Sequence, residues 1–243
     1  MHNVEDPVVF SRRIQDMFSA IAPRYDFLNR LLSIGFDRHW RKSAIDLLAP
    51  RSGERILDVA TGTGDMALEI VSRGLHDVRV VGVDFSRRML ELGRDKIRQR
   101  DYNQAVSFHL GNGENLPLAD MSFEGAACAF GIRNYAKVKL GLREMHRILK
   151  PGGRVVILEF SMPSNPILRS IYNWYFDLVL PKVGNLISGH DEAYSYLPES
   201  VMGFPDQNEF VDWMKEAGFE NVACRELTFG IVSLHYGYKG NNV

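Results

Sequence analysis

The stretch LDVATGTGDMAL (Leu57–Leu68) joins an apolar run, a glycine turn and the opening of a helix. Within it, GTGDMA (Gly62–Ala67) fits the G-x-G-x-x-G/A pattern of a strand-to-helix turn that grips a nucleotide-type cofactor. Asp84 stands 20 residues beyond Gly64, where an acid meets ribose hydroxyls. Those facts alone suit NAD. The carboxylates tilt the balance. A diphosphate sits on the N–H groups and positive dipole of a helix N-terminus, and Asp65 at that terminus would repel it. Asp58 adds a second acid on the preceding strand. S-adenosylmethionine has no phosphate; its amino group and sulfonium are cationic, and its carboxylate can take the free N–H groups. The pattern therefore predicts S-adenosylmethionine, gripped around Asp58, Gly62, Gly64 and Asp84. An Asp65 that simply caps its helix suits either cofactor. Further on, GNGENLP (Gly111–Pro117) offers Asn112 and the following N–H of Gly113 to an adenine edge, although Asn is also an ordinary turn residue.

These residues need a scaffold, and the chain writes one in alternating apolar runs and helical patterns. Strands are expected at 55–60, 78–84, 106–110, 125–130 and 154–159, with helices at 65–73, 86–100 and 137–149 between them. KPGG (Lys150–Gly153) reads as the breaker before the fifth strand. Such alternation implies a parallel sheet with helices on both faces, an α/β fold. A helix at 206–217 and two runs, 221–227 and 231–238, finish the chain. The joint Thr228–Gly230 suggests an antiparallel hairpin. Before the first strand, helices at 10–22 and 26–48 form an N-terminal cap within residues 1–50. Residues 162–204 interrupt the alternation and hold seven aromatics (Tyr172, Trp174, Tyr175, Phe176, Tyr194, Tyr196 and Phe204), which suits a substrate lid.

With 243 residues the chain fits one domain, 1–243, with a full core. Its net charge of −1 gives no field for nucleic acid, and no basic stripe suggests RNA. Cys128 and Cys224 make no metal or redox motif, the histidines show no metal spacing, and no metal is expected. No apolar run reaches membrane-spanning length and the start lacks a signal peptide's features, so the expected place is the cytoplasm. Residues 11–51 hold eight Arg and Lys against four Asp and no Glu. That excess fits a solvated helical face or peripheral contact with anionic lipid on the inner face of the cytoplasmic membrane.

The sequence resembles the class I S-adenosylmethionine methyltransferases, and more narrowly the C-methyltransferases of menaquinone and ubiquinone biosynthesis. The residues that carry the likeness are FSAIAPRYDFLN (Phe18–Asn29), SIG (Ser33–Gly35), WRK (Trp40–Lys42), LDVATGTGD (Leu57–Asp65), FGIRN (Phe130–Asn134), RILKPGG (Arg147–Gly153), YSYLPES (Tyr194–Ser200) and LTFGIV (Leu227–Val232). The resemblance implies a Rossmann-like, mostly parallel seven-stranded sheet with an antiparallel C-terminal strand. Carried over by position, it implies cofactor contacts at Thr63, Asp84, Asn112 and Gly113. Three positions depart from the pattern or vary within it. Ala129 replaces a serine of some relatives, Asp37 a histidine of many, and Ala60 the first glycine of the general motif.

The resemblance also implies methylation of a ring carbon on a 2-polyprenyl quinol, with demethylmenaquinol favoured. The benzoquinol intermediate of ubiquinone synthesis is the alternative, alone or in addition. A nicotinamide oxidoreductase and a non-catalytic cofactor-binding module are more distant alternatives, and a homodimer is compatible. A quinol hydroxyl titrates near ~10, like tyrosine. Its proton must leave before the ring carbon becomes nucleophilic. Arg133 and Asn134 follow the fourth strand at the carboxyl edge, where sites of open α/β sheets form. They are the catalytic candidates: Arg133 to hold the quinolate oxygen or polarise a water, Asn134 to orient it. An Arg133 that pins the cap by pairing with an acid such as Asp26 is the structural alternative. Tyr25, Asp26, Tyr196 and His235 rank second, and a lone His on a C-terminal strand is more often packed.

Overall fold

The computed structural model describes residues 6–174 and 191–241. Seven strands form one sheet: β1 (Arg55–Val59), β2 (Arg79–Asp84), β3 (Val106–Leu110), β4 (Phe123–Ala129), β5 (Leu149–Phe160), β6 (Phe219–Leu227) and β7 (Val232–Lys239). Their order is β3-β2-β1-β4-β5-β7-β6. The first five strands run parallel, while β7 lies antiparallel to both β5 and β6. The expected hairpin is thus present, turning through Thr228–Gly230.

The helices are α1 (Pro7–Leu32), α2 (Phe36–Leu48), α3 (Asp65–Val71), α4 (Arg87–Gln99), α5 (Val138–Ile148), α6 (Pro166–Trp174), α7 (Asp191–Met202) and α8 (Gln207–Glu216). Strand side chains alternate between faces with period two. Ile56 therefore joins the layer under Trp40, Met66 and Leu90, while Leu57 and Val59 join Leu142, Met145 and Phe210 on the other side. Both faces are covered, which is why the inner strands read as continuous apolar runs.

Two expected boundaries move. The cap breaks at Ser33–Gly35 instead of at Pro23, which lies inside α1. Proline removes one helix hydrogen bond. Tertiary contacts outweigh it here: Ile14, Ala22 and Leu28 are buried. Gln15 Nε2 donates to the Phe85 carbonyl, and the Ser19 and Ser86 hydroxyls meet at 2.9 Å. The break comes where Ile34 and Gly35 turn left-handed, at φ 52° and 79°, and Gly35 N–H closes onto the Arg30 carbonyl at 2.8 Å. The second shift is at KPGG. It is extended backbone at the start of β5, and the register against β4 slips between Phe123 and Gly125. Of the aromatic segment, Tyr175, Phe176 and the side chain of Tyr194 lie outside the described residues. Phe204 packs on Phe210 at 5.0 Å, in the core and away from any lid.

Candidate active site

Two cavities open at the carboxyl edge of the sheet, and they share a wall of three rings, Phe18, Tyr25 and Phe130. The smaller, about 50 Å³, lies over the ends of β1 and β2. Gly62, Asp84, Asn112, Gly113, Asn134 and Tyr135 are among the residues that line it. The larger, about 380 Å³, is apolar over most of its wall, with Arg133 and Tyr196 among its few polar groups.

The polar floor of the smaller cavity is shaped by backbone. Gly62 is left-handed at φ 55°, and its N–H donates to Asp84 Oδ2 at 2.8 Å. Asp84 Oδ1 accepts from Ser86 N–H at 2.8 Å. Burial pushes the Asp84 carboxyl up to about 6, with these bonds pulling the other way. Asn112 makes the expected turn, its Oδ1 accepting from Glu114 N–H at 2.9 Å, and it lines the cavity as well. Gly113 is required by space: a Cβ there would overlap the Tyr135 hydroxyl. That hydroxyl is buried and has no hydrogen-bond partner among the described residues.

Three expected cofactor residues do not reach the cavity wall. Thr63 is spent on the cap: its hydroxyl donates to Asp26 Oδ1 at 2.6 Å and accepts from Lys96 Nζ at 2.8 Å. Gly64 backs onto Phe108, which a Cβ would approach to 2.5 Å. Asp58 faces inward, and its Oδ2 accepts from Thr61 Oγ1 at 2.5 Å and Ala67 N–H at 3.1 Å. It holds the glycine turn from beneath. Burial raises its carboxyl to about 7, against the bonds from Thr61 and Ala67.

The charge argument at Asp65 also changes. Asp65 pairs with Lys96 at 2.8 Å and faces Arg41 at 3.7 Å. Burial works to raise its carboxyl, but Arg41 and Lys96 outweigh that and hold it below the ordinary range. A neutralised Asp65 does not repel a diphosphate. Part of the turn's donor set is also committed. Thr61 N–H is bonded to Val83 O, Gly62 N–H to Asp84 and Gly64 N–H to Thr61 O, so three turn donors are used internally.

The fourth strand delivers the catalytic candidates. Phe130 turns left-handed at φ 57° and leads into the one-turn 3-10 helix Ile132–Asn134. Consecutive residues on that turn serve different cavities: Asn134 the smaller, Arg133 the larger. Arg133 Nη1 pairs with Glu159 Oε1 at 2.6 Å and donates to Phe130 O at 2.7 Å, while Nε reaches Ser200 Oγ at 3.3 Å. Its acid partner is therefore Glu159, at the end of β5; Asp26 belongs to Lys96 at 2.5 Å. Burial opposes the Arg133 charge, but Glu159 outweighs it and keeps the guanidinium protonated. Asn134 Oδ1 accepts from the Tyr196 hydroxyl at 3.0 Å, and its Nδ2 donates to Phe130 O at 3.3 Å. Tyr25 stands between the cavities, whereas His235 is packed against Phe210 at 4.7 Å and lines neither.

A match to the family model described as "ubiE/COQ5 methyltransferase family" spans residues 7–239, nearly the whole chain. The chain belongs to the ubiE/COQ5 methyltransferase family. It is 51% identical over 228 residues to the ubiquinone/menaquinone biosynthesis C-methyltransferase UbiE of Geobacter sulfurreducens, covering 94% of this chain and 89% of that protein. It is 46% identical over 226 residues to the demethylmenaquinone methyltransferase of Deinococcus radiodurans, covering 93% and 92%. As a ubiE/COQ5 member it is an S-adenosylmethionine-dependent C-methyltransferase. The fold agrees with solved structures. A SAM-dependent methyltransferase from Thermotoga maritima aligns with TM-score 0.64 at 22% identity, covering 93% of this chain and 99% of that one. The [4+2]-cyclase SpnF aligns with TM-score 0.72 at 15% identity, covering 96% and 97%. A cyclase on the same scaffold shows that the fold alone does not fix the chemistry.

Glu159, Tyr135 and the three-ring wall were not anticipated from sequence. Glu159 had a signal: it is the lone acid in RVVILEF (Arg154–Phe160), and a charge ending a buried strand demands a buried partner.

Proposed function

We propose that the protein methylates the ring carbon of demethylmenaquinol, with S-adenosylmethionine held in the smaller cavity and the prenyl quinol in the larger. The benzoquinol of ubiquinone synthesis is the second reading, favoured by the joint ubiquinone/menaquinone name of the Geobacter relative. The observation that carries the proposal is the placement of Arg133 and Asn134 on one turn, facing two cavities divided by a shared aromatic wall. The polar residues match the cofactor's groups, and the cavity, at about 50 Å³, must widen beside Ser11, Phe18 and Tyr25 of α1 to admit it. Asp84 takes the ribose hydroxyls, Asn112 and Gly113 the adenine edge, Gly62 allows close approach of the methionine part, and the unpartnered Tyr135 hydroxyl meets a polar ligand atom. When bound, S-adenosylmethionine supplies an electrophilic methyl on a positively charged sulfur.

The chain's own residues then prepare the nucleophile. Arg133 faces the acceptor cavity and stays protonated, so it does not act as a base. Its charge is balanced by Glu159, and it acts on the quinol as a hydrogen-bond donor, favouring the ionised hydroxyl and holding the resulting oxyanion. Glu159 fixes Arg133 from behind, its Oε1 accepting from the guanidinium Nη1 at 2.6 Å and its Oε2 from the backbone N–H at 3.3 Å. Asn134 ties Tyr196 to the boundary between the cavities. Phe18, Tyr25 and Phe130 exclude water and aim the ring carbon. The methyl would come from the bound cofactor, and the quinol's hydroxyl proton and then its ring-carbon proton would both pass to a water held beside Arg133, which restores the aromatic ring.

The lining of the acceptor cavity suits an apolar tail, and no helix among the described residues is long and apolar enough to cross a membrane. The tail's bulk then stays within the bilayer while the enzyme works at its surface. Purified protein given both quinols and labelled S-adenosylmethionine tests the reading, with the product identified by mass. Methylation of the naphthoquinol is expected; transfer to neither quinol would refute it.

A further inference from the structure

The acceptor cavity has an unusual mouth. Its two most solvent-exposed lining residues are apolar: Ile34 at 82% and Phe229 at 78%. Both hold left-handed backbone, Ile34 at φ 52° and Phe229 at φ 58°. That region is uncommon for any residue but glycine, and a β-branched side chain there is a marked outlier. Strain of this kind, kept at two tips beside one opening, points to a use. The tips are held as a unit. Phe36, also half exposed, stacks on Trp40 at 6.3 Å. The Trp40 indole N–H donates to Thr228 Oγ1 at 2.7 Å, next to Phe229.

Charge around the mouth is lopsided. On the α1–α2 side, Arg30 and Arg38 stand four residues to either hand of Ile34 and are exposed. The acids of that segment are paired: Asp26 with Lys96, and the buried Asp37 with Arg41. On the other side Glu226 is exposed near Phe229. The solvent therefore meets an apolar rim with two arginines on its α1–α2 flank and one acid beside Phe229, and the rim continues directly into an apolar cavity. A second copy of the chain is a poor occupant, since a twofold contact on this patch would set Arg30 and Arg38 against their own copies.

We propose that this mouth docks on an anionic phospholipid bilayer, with Ile34 and Phe229 as the inserting tips, so that a prenyl tail passes sideways from the membrane into the cavity. The proposal rests on the prenyl-quinol reading for its purpose, but docking is measured without substrate.

The test is co-sedimentation of the full chain with vesicles of phosphatidylcholine alone and of phosphatidylcholine mixed with phosphatidylglycerol. The protein is expected to partition onto the mixed vesicles. Ile34→Ser and Phe229→Ser should each weaken that partition about tenfold, as for one apolar side chain kept in water. Arg38→Glu should remove the preference for the anionic mixture. S-adenosylmethionine affinity and melting temperature should hold in all three. Ile34→Gly, which relieves the left-handed backbone, should keep or raise the melting temperature while losing the same partition, separating docking from folding. Equal sedimentation of variants and parent would overturn the proposal. So would a parent dimer, seen by ultracentrifugation, that the tip variants split without affecting vesicle binding. A parent that binds vesicles yet methylates no quinol would instead leave docking standing and remove the substrate reading.

Discussion

The two cavities, the smaller proposed for the methyl donor and the larger for its acceptor, are neighbours made by different means. The polar side of the donor cavity is mostly main chain: a left-handed Gly62, a Gly113 with no room for a side chain, and an Asp84 clamped by two N–H groups. The acceptor cavity is mostly side chain, drawn from α1, α2, the end of β5, α6, α7 and the joint before β7. A main-chain site tolerates almost no change of residue at its few fixed points. A side-chain site can be reshaped one residue at a time, which is where substrate choice is set.

The sharpest way to break this contrast is Arg133→Ala. Turnover is expected to fall about a thousandfold, as for loss of one oxyanion-stabilising group, with S-adenosylmethionine affinity within about twofold of the parent. Comparison of kcat by single-turnover assay with Kd by calorimetry checks it. Unchanged turnover would remove Arg133 from the mechanism. The same change strands Glu159 in the interior and should cost about 3 kcal/mol of stability, largely restored by adding Glu159→Gln. Thermal melting of the single and double variants reads that coupling.

Gly113→Ala is next in size and strikes the other cavity. With its Cβ overlapping the Tyr135 hydroxyl, S-adenosylmethionine affinity should drop about thirtyfold. Tail-length preference should stay as it was; a variant that binds the cofactor normally would show that the overlap is relieved by a shift of Tyr135.

A third, smaller effect follows from titration. The Asp84 carboxyl is raised to about 6 while ribose hydroxyls need it as an ionised acceptor. Ligand binding therefore lowers its pKa and releases a proton. Affinity should weaken as pH falls through about 6, at most about tenfold per unit. The sign for folding is opposite: burial of this charge costs stability above pH 6, and that cost is relieved as pH falls towards the ordinary carboxylate value. Calorimetry across pH checks the slope, which Asp84→Asn should flatten.

The mildest test is Leu168→Ala, on α6 in the acceptor wall. It should raise KM severalfold for a long-tailed quinol and leave a tail-less one nearly unaffected, as for loss of a few methylenes of contact. An equal effect on both would move the tail elsewhere.

The same division governs what the sequence disclosed. Strand positions follow from short apolar runs and the hairpin from its turn residues, and β3 falls at Val106–Leu110 as expected, whereas the strand order comes from the pairings alone. Gly62, Asp84, Asn112 and Gly113, named from contiguous motifs, line one cavity together. The side chains of Thr63 and Asp65 turn to the cap and to α4, because a motif gives the residue but not its facing. Lys96 and Asp26, which claim them, come from distant helices. The Arg133–Glu159 pair was hidden for a like reason, since 26 residues separate its members and only the β4–β5 pairing unites them. The cap also carries more than substrate contact. Ser11, Phe18 and Tyr25 of α1 close the donor cavity, so removing residues 1–48 should abolish cofactor binding as well as quinol methylation.

Two of the three rings between the cavities, Phe18 and Tyr25, ride on α1, and only Phe130 is fixed to the sheet. The partition and the cap are thus one covalent piece. An outward shift of the helix would join both chambers into a single open trough, while the helix in place keeps them apart. How tightly α1 packs on the sheet therefore sets the access of water to both chambers at once.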